Sequence, residues 1–325
     1  NEADSKVPEC YRQWGCKVYG ISCQRSPVRK ENLDAIRQIR KIVKDNHYNL
    51  VHCHTPIAAM CTRLACRPLQ KNGIKVFYTA HGFHFYKGAP KLNWLVYYPI
   101  EMICSYMTDV LITINKEDYN LAKQKFHAGK VEYVPGVGID TGKFGGTQED
   151  REKKREELGI PADAVLLLSV GELNKNKNHG MVIRALAKLN DNRIHYAIAG
   201  KGPLKESYEK MAKDCGISKQ VHILGFRNDI PDLYCAADIC VFPSIREGLG
   251  LAAVEGMASG LPLIVSDNRG TRGFLNEDMA ITCTNSDVVK FAEAIEKLQS
   301  DMDLRMRMGK LNKEKSSEFD ISRVN

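Results

Sequence analysis

The sequence is poor in the features that place a chain across a membrane or outside the cell. No stretch of its 325 residues approaches 18 consecutive apolar positions, so no transmembrane helix is expected. No secretory signal is expected at its start. Eleven cysteines are present, but Cys53, Cys61, Cys66, Cys104 and Cys240 fall inside apolar strand and helix patterns. That is the usage of buried, reduced, cytosolic thiols rather than of a disulfide framework. Internal repeats and low-complexity tracts are missing as well. His52 and His54 share one face of a strand by alternation, yet no third and fourth ligand follow at a recognisable spacing, so no metal site is expected. Basic residues are dispersed and no nucleic-acid-binding motif occurs, which argues against a nucleic-acid partner.

What is present is apolar material for two cores, 43% of residues, and a length that suits two α/β domains. The net charge of +8 is unevenly placed: residues 1–143 hold 21 Lys and Arg against 12 Asp and Glu, residues 144–325 hold 26 against 27. A basic first half points to an anionic lipid surface or a phosphorylated substrate; the alternative is a lysine-rich surface that is merely solvated.

Hydrophobic periodicity lays out alternating strands and helices. Residues 1–26 read as irregular apart from a weak strand at Lys17–Ile21. A helix opening at Ser26-Pro27 carries Leu33, Ile36, Ile39 and Val43 on one face and basic residues elsewhere. Strands at 49–53, 75–79, 109–114 and 131–135 alternate with helices at 57–69, 91–107 and 116–127. The glycine-rich stretch 136–146 ends a first domain taken as 1–143. The second domain, 144–325, has strands at 164–170, 194–199, 221–224, 239–242, 263–265 and 280–283, separated by helices. This spacing builds right-handed βαβ units and a parallel sheet. The expected fold class is α/β, two Rossmann-like doubly wound parallel-sheet domains facing a central cleft.

Two stretches of the first domain admit two readings each. The loop Ala80–Pro90 places His81, His84 and Lys87 among aromatics and glycines after a strand's C-terminal end, where binding residues gather; it also reads as a packed aromatic loop. His54, at the end of the preceding strand, is expected to face the cleft. The 91–107 helix has more apolar and aromatic residues than one core face needs. Tyr, Trp and Lys at the margin of such a surface suit a membrane interface, and burial against both sheet and loop would use them too.

The sharpest signal runs from Ser244 to Ser266. A buried strand, 239–242, stops at Pro243. Gly248 and Gly250 flank Leu249 in a turn that lets a ligand approach bare backbone. A short helix follows from Leu251, and its N-terminus at a parallel strand's C-terminal end is suited to phosphate. Glu247 and Glu255 bracket the turn; as carboxylates they suit hydroxyls rather than phosphate. Phosphate beside polyhydroxyl groups describes a nucleotide-sugar, while the plain alternative is one more βα unit with surface glutamates. Upstream, Gly171 to Asn178 follows another strand end, and its Lys175 and Lys177 can neutralise a diphosphate.

With these residues in view, the chain resembles the retaining nucleotide-sugar glycosyltransferases of family 4, which have the GT-B fold. Glu247 and Glu255 match the E-x7-E signature, and Gly-Leu-Gly-Leu between them matches too. Lys177 matches the lysine that contacts the donor diphosphate. Gly200-Lys-Gly-Pro203 and Gly225-Phe226-Arg227 match further features, the latter a loop that meets the base. Val51–Pro56, Thr79–Gly82 and Val134–Asp140 carry the likeness through the first domain, most closely to the bacterial exopolysaccharide and capsule branch. One position departs: the family arginine after Gly171 is Glu172, a charge reversal for which Lys175 or Arg246 compensates, unless Lys177 and the helix dipole suffice. The family's first strand and last helix are also not recognised, which leaves the chain's activity open.

The resemblance implies catalytic roles for Glu247, Lys177 and His81, with Glu255 on ribose hydroxyls, the Gly248–Gly250 backbone on phosphate, and His54, His84 and Lys87 on the acceptor side. It implies no cofactor, no metal and no covalent nucleophile. The expected partners are a UDP-linked sugar donor, a polyprenyl-diphosphate-linked or other saccharide acceptor, and an anionic membrane surface; the expected location is cytoplasmic, peripheral on the inner face of the cell membrane. Two other functions fit a similar outline: a nucleotide-sugar 2-epimerase, which would turn over donor alone, and a non-catalytic nucleotide-sugar-binding protein, which would bind donor without transfer.

Overall fold

The computed structural model describes residues 11, 13–24 and 26–324. The chain divides into two compact units, 1–133 and 134–325. The first contains helix α1 (Glu31–Asp45), strand β1 (Leu50–His54), α2 (Pro56–Cys66), β2 (Lys75–Ala80), α3 (Lys91–Ser105), β3 (Val110–Thr113), α4 (Lys116–Lys125) and β4 (Lys130–Tyr133). Its four strands are parallel in the order β1-β2-β3-β4. Helices connect them because parallel neighbours need a crossover. A helix cap and a buried carboxylate fix the last crossover and the loop after β2 together. Asn115 accepts from the Asp118 backbone N–H at 2.8 Å, and the buried Asp118 carboxylate accepts from the Phe83 N–H at 3.0 Å. Phe83 and Phe85 stack at 5.0 Å between ring centres within the core, so this loop is packed from below. A buried ion pair, Arg63 to Glu101 at 2.8 Å with Tyr78 against the guanidinium, ties α2 to α3.

Two expectations are corrected here. Lys17–Ile21 forms no strand: it is largely exposed, and Lys17 and Tyr19 bond the Asn46 side chain instead of a ladder. The first helix opens at Glu31, not Ser26, because the buried Asn32 side chain accepts from the Gln24 N–H and donates to the Ser26 carbonyl, and residues 26–30 form a turn ahead of it. The apolar excess of α3 is divided between a packed face and an exposed one. Trp94, Tyr97, Tyr98 and Met102 pack on the core, while Leu92, Leu95 and Ile103 are exposed, as is Tyr106 just past the helix end.

The second unit contains α5 (Gln148–Glu157), β5 (Val165–Val170), α6 (His179–Leu189), β6 (Ile194–Ala199), α7 (Lys205–Asp214), β7 (Val221–Gly225), α8 (Ile230–Ala236), β8 (Ile239–Phe242), α9 (Leu251–Ala258), β9 (Leu263–Ser266), α10 (Arg269–Arg272), β10 (Ala280–Cys283), α11 (Val288–Ser300), α12 (Met302–Ser316) and α13 (Ile321–Val324). Its six parallel strands run β10-β9-β8-β5-β6-β7. Leu167 belongs to one buried cluster and Leu166 and Leu168 to the other, so alternation along β5 feeds a core on each face of the sheet. The order reverses direction at β5 and β8, which makes the crevice at their C-terminal ends a binding position.

Residues 136–146, expected to end the first domain as a glycine-rich linker, fall within the second unit. Ile139 donates to the Phe319 carbonyl and accepts from the Ile321 N–H, and Asp320 accepts from the Thr141 backbone N–H. The unit therefore begins at Val134, ten residues before the position read from glycine content.

Candidate active site

The loops after β5 and β8 are stitched together where the strand order reverses. The Ile245 N–H donates to the Asn176 carbonyl at 2.8 Å, and Asn176 Nδ2 donates to the Arg246 carbonyl at 2.9 Å. This brings Lys177 Nζ to 2.8 Å from Glu247 Oε1, with both side chains partly buried. Asn174 Oδ1 accepts the Lys177 backbone N–H at 2.9 Å, fixing the base of the lysine. A Cβ at Gly171 would stand 3.1 Å from Lys177 Cε, so the glycine gives the lysine stem its room.

Gly248 and Leu249 lead to Gly250, the N-cap of α9. A Cβ on Gly250 would meet the Phe242 ring at 2.9 Å, which explains a glycine there on packing grounds alone. Glu255, one turn into α9, is largely buried. Burial pushes its carboxyl up to about 7, against the pull of the Tyr234 hydroxyl and the Lys177 charge. The Tyr234 hydroxyl donates to the Ala252 carbonyl at 2.7 Å and lies 3.4 Å from Glu255 Oε2.

Sequence reasoning passed over three supports of this arrangement. Asn268 is buried after β9; its Nδ2 donates to the Ser244 carbonyl at 3.1 Å and its Oδ1 caps α10. The Asn268-Arg-Gly tripeptide is a readable cap signal, but its hold on Ser244 exists only in three dimensions. His179, at the start of α6, is buried, and burial beside Lys177 lowers its imidazole to about 4. Its Nδ1 lies 3.1 Å from the Tyr196 hydroxyl, which donates to Ser169 Oγ at 2.9 Å, which in turn donates to the Val241 carbonyl. This chain braces the Gly171–Asn178 loop from inside. Lys201 is the third: it lines a cavity of about 380 Å³ with Gly171, Glu172, Phe226 and Arg227.

Gly225 has φ +69°, the left-handed turn that ends β7 and points the chain into that cavity. Phe226 is exposed. The Arg227 guanidinium is already engaged, at 2.5–2.7 Å, by Asp229 and Glu157. Lys175 is exposed and makes no ion pair among the described residues.

In the first unit, His54 Nδ1 lies 3.0 Å from His81 Nε2, and the His52 ring is 4.4 Å from that of His54, on the same strand face. Burial and the neighbouring rings lower the His52 and His81 imidazoles. His84 stacks on Tyr97 at 4.6 Å, and the Lys87 backbone N–H donates to Glu117. Thr55, between His54 and α2, has φ +61°, a strained setting for a β-branched residue. Among the described residues no group of three or more His, Cys, Asp or Glu could hold a metal ion, and no helix is long and apolar enough to cross a membrane.

The arrangement can do defined chemistry. Lys177 and the α9 N-terminus offer positive potential beside two carboxylates and a cavity of ligand size.

Comparison with known proteins supplies a family for this geometry. The model of the family described as Glycosyl transferases group 1 matches residues 150–315, and that described as Glycosyl transferase 4-like matches residues 4–115. EpsD of Bacillus subtilis (strain 168), assigned by name as a glycosyltransferase, is 38% identical over 311 residues, 94% of this chain and 82% of that protein. An Escherichia coli protein named UDP-Gal:alpha-D-GlcNAc-diphosphoundecaprenol alpha-1,3-galactosyltransferase is 28% identical, covering 83% of this chain and 71% of its own. Among solved structures, Anabaena Alr3699/HepE in complex with UDP and glucose superposes with a TM-score of 0.81 at 20% identity, over 97% of this chain and 86% of that one.

Proposed function

The chain belongs to the group 1 glycosyltransferases and is of the GT-B type, and from that premise we propose that it transfers a sugar from a UDP-linked donor to a lipid-linked saccharide in exopolysaccharide or capsule biosynthesis, retaining anomeric configuration. The observation that carries this reading is the Lys177–Glu247 contact at 2.8 Å, with Glu255 eight residues further along the same segment.

In this reading Glu255 takes the ribose hydroxyls and the Gly248–Gly250 backbone takes phosphate at the α9 N-terminus. Lys177 stabilises charge on the leaving diphosphate, where a positioned cation contributes most. An arriving diphosphate shares the Lys177 ammonium with Glu247, which turns that carboxylate toward donor-sugar hydroxyls. No covalent nucleophile is invoked: the acceptor attacks from the face the diphosphate leaves, and a diphosphate oxygen takes its proton. Lys177 and the helix end supply the positive charge, so no metal or cofactor enters the scheme. His81 keeps the catalytic role that the family resemblance implies, and the first unit, with His54, His84 and Lys87, takes the acceptor. A polyprenyl-diphosphate-linked saccharide suits its basic character, and the acceptor named for the Escherichia coli relative is of that kind. UDP in the Anabaena complex supports the donor class. Exposed Leu92, Leu95, Ile103 and Tyr106 in a basic unit support contact with the anionic inner face of the cell membrane.

The test is transfer from a panel of UDP-sugars to a synthetic polyprenyl-diphosphate saccharide, with the product's anomeric configuration read by NMR. Transfer with retention, lost in Lys177→Ala, is expected. An inverted product would overturn the mechanism. Conversion of donor to an epimer without acceptor would favour the epimerase instead.

A further inference from the structure

The turn assigned above to phosphate is gripped at both ends. Ahead of it, Asn268 holds Ser244 and Asn176 holds Ile245 and Arg246; behind it, Gly250 stands against the Phe242 ring. Between these holds, the partly buried Leu249 side chain lies on Gly136. A Cβ at Gly136 would overlap Leu249 Cδ2 and stand 3.5 Å from Leu249 Cγ, so a side chain at 136 and Leu249 in its present place exclude each other. The backbone at Gly136 is shaped for this contact. Its φ is +86°, and its N–H donates to the Val134 carbonyl at 2.7 Å, closing a tight turn around Pro135. The rest of the segment is pinned elsewhere. A Cβ at Gly138, where φ is +73°, would stand 2.9 Å from Ile321 Cα, and Ile139 bonds Phe319 and Ile321 through its backbone. Residues 136–139 therefore join the C-terminal end of the second unit to the phosphate turn.

We propose that Gly136 is a positioning residue for donor binding: by seating Leu249 it holds the Gly248–Gly250 backbone in the conformation that takes the diphosphate. The proposal rests on the nucleotide-sugar reading above. Gly136 touches no reacting group and acts through Leu249. A methyl group at 136 would displace Leu249 and, with it, the backbone on either side. Because positions 136 and 249 share one contact, substitutions at the two are coupled, whereas the strain of a positive φ is independent of residue 249. The coupling is also reciprocal: a diphosphate that fixes the turn steadies the residues on which the turn is seated.

Isothermal titration with UDP tests this on the native chain, Gly136→Ala, Leu249→Ala, the double variant and Gly138→Ala. Gly136→Ala is expected to weaken UDP binding about tenfold in the native background, and by no more than about twofold once residue 249 is alanine, because the overlapping carbon is then gone. Gly138→Ala carries a like positive φ but meets Ile321 instead of Leu249. It should lower the unfolding midpoint and leave UDP affinity within about twofold of native. Equal losses from Gly136→Ala in both backgrounds, or a loss in Gly138→Ala as large as in Gly136→Ala, overturns the proposal. If the Gly136 variants do not fold, hydrogen exchange decides. UDP should slow exchange at the Gly136, Val137 and Gly138 amides of the native chain and not of Leu249→Ala; the same protection in both, or in neither, overturns the proposal and leaves the nucleotide-sugar reading intact. Failure of the native chain to bind UDP overturns that reading, and the proposal with it.

Discussion

Glu255 is a carboxylate held away from water beside a tyrosine whose proton is given to a backbone carbonyl. Its carboxyl is raised from the usual range to about 7. A raised carboxyl favours the folded state while protonated, and that contribution is lost as pH climbs from the unfolded value through 7. Glu255→Gln should therefore gain stability relative to the native chain between pH 5 and pH 8, by on the order of 1–3 kcal/mol. Thermal unfolding at both pH values checks this, and an equal offset at each would refute it. If ribose hydroxyls bond the ionised form, UDP affinity of the native chain rises over the same interval and that of Glu255→Gln does not. In the mechanism proposed here, removal of the Lys177 amine leaves Glu247 beside the departing phosphate with no counter-charge. Lys177→Ala should lower kcat by about 10²–10³-fold with a smaller change in UDP affinity, measured by transfer rate and titration. The residue types and spacing of Glu247, Glu255 and Lys177 were all legible in the sequence. Their contact was not, since 70 residues separate Lys177 from Glu247.

At the scale of elements, glycines decide how closely the site's strands and loops approach. Gly250 stands against the Phe242 ring, and Gly200 against the Gly171 carbonyl. Gly250→Ala should displace the start of α9, costing about 1–3 kcal/mol by overpacking and weakening UDP binding; a denaturant titration with and without UDP measures both. Normal stability and affinity would mean that Phe242 yields. Thr55 is the reverse case. Its φ of +61° suits glycine, so Thr55→Gly should raise the unfolding midpoint if the strain of ~1–3 kcal/mol exceeds glycine's entropy. Most strands and helices follow from apolar periodicity, within a few residues at their ends. The exceptions share a cause. Lys17–Ile21 alternates like a strand but has no ladder to join, and the turn at 26–30 depends on the buried Asn32 amide.

At the scale of the whole chain, basic charge and exposed apolar side chains gather in the first unit. Flotation with anionic vesicles at low salt should carry the protein, and Leu92→Glu with Leu95→Glu should release it. Binding only to neutral vesicles, or none, would refute the surface. The sequence by itself determined two parallel α/β sheets and the glycosyltransferase signature, because periodicities of two and 3.6 and a motif within a dozen residues are local properties. Only the tertiary structure decided which loops meet at the reversal of strand order, that Asn176 and Asn268 hold the Glu247 loop, and that residues 134–147 join the second unit through Phe319 and Asp320. These contacts join positions far apart in the chain. Their energy comes from burying and pairing groups that folding alone brings together, and no local pattern encodes it.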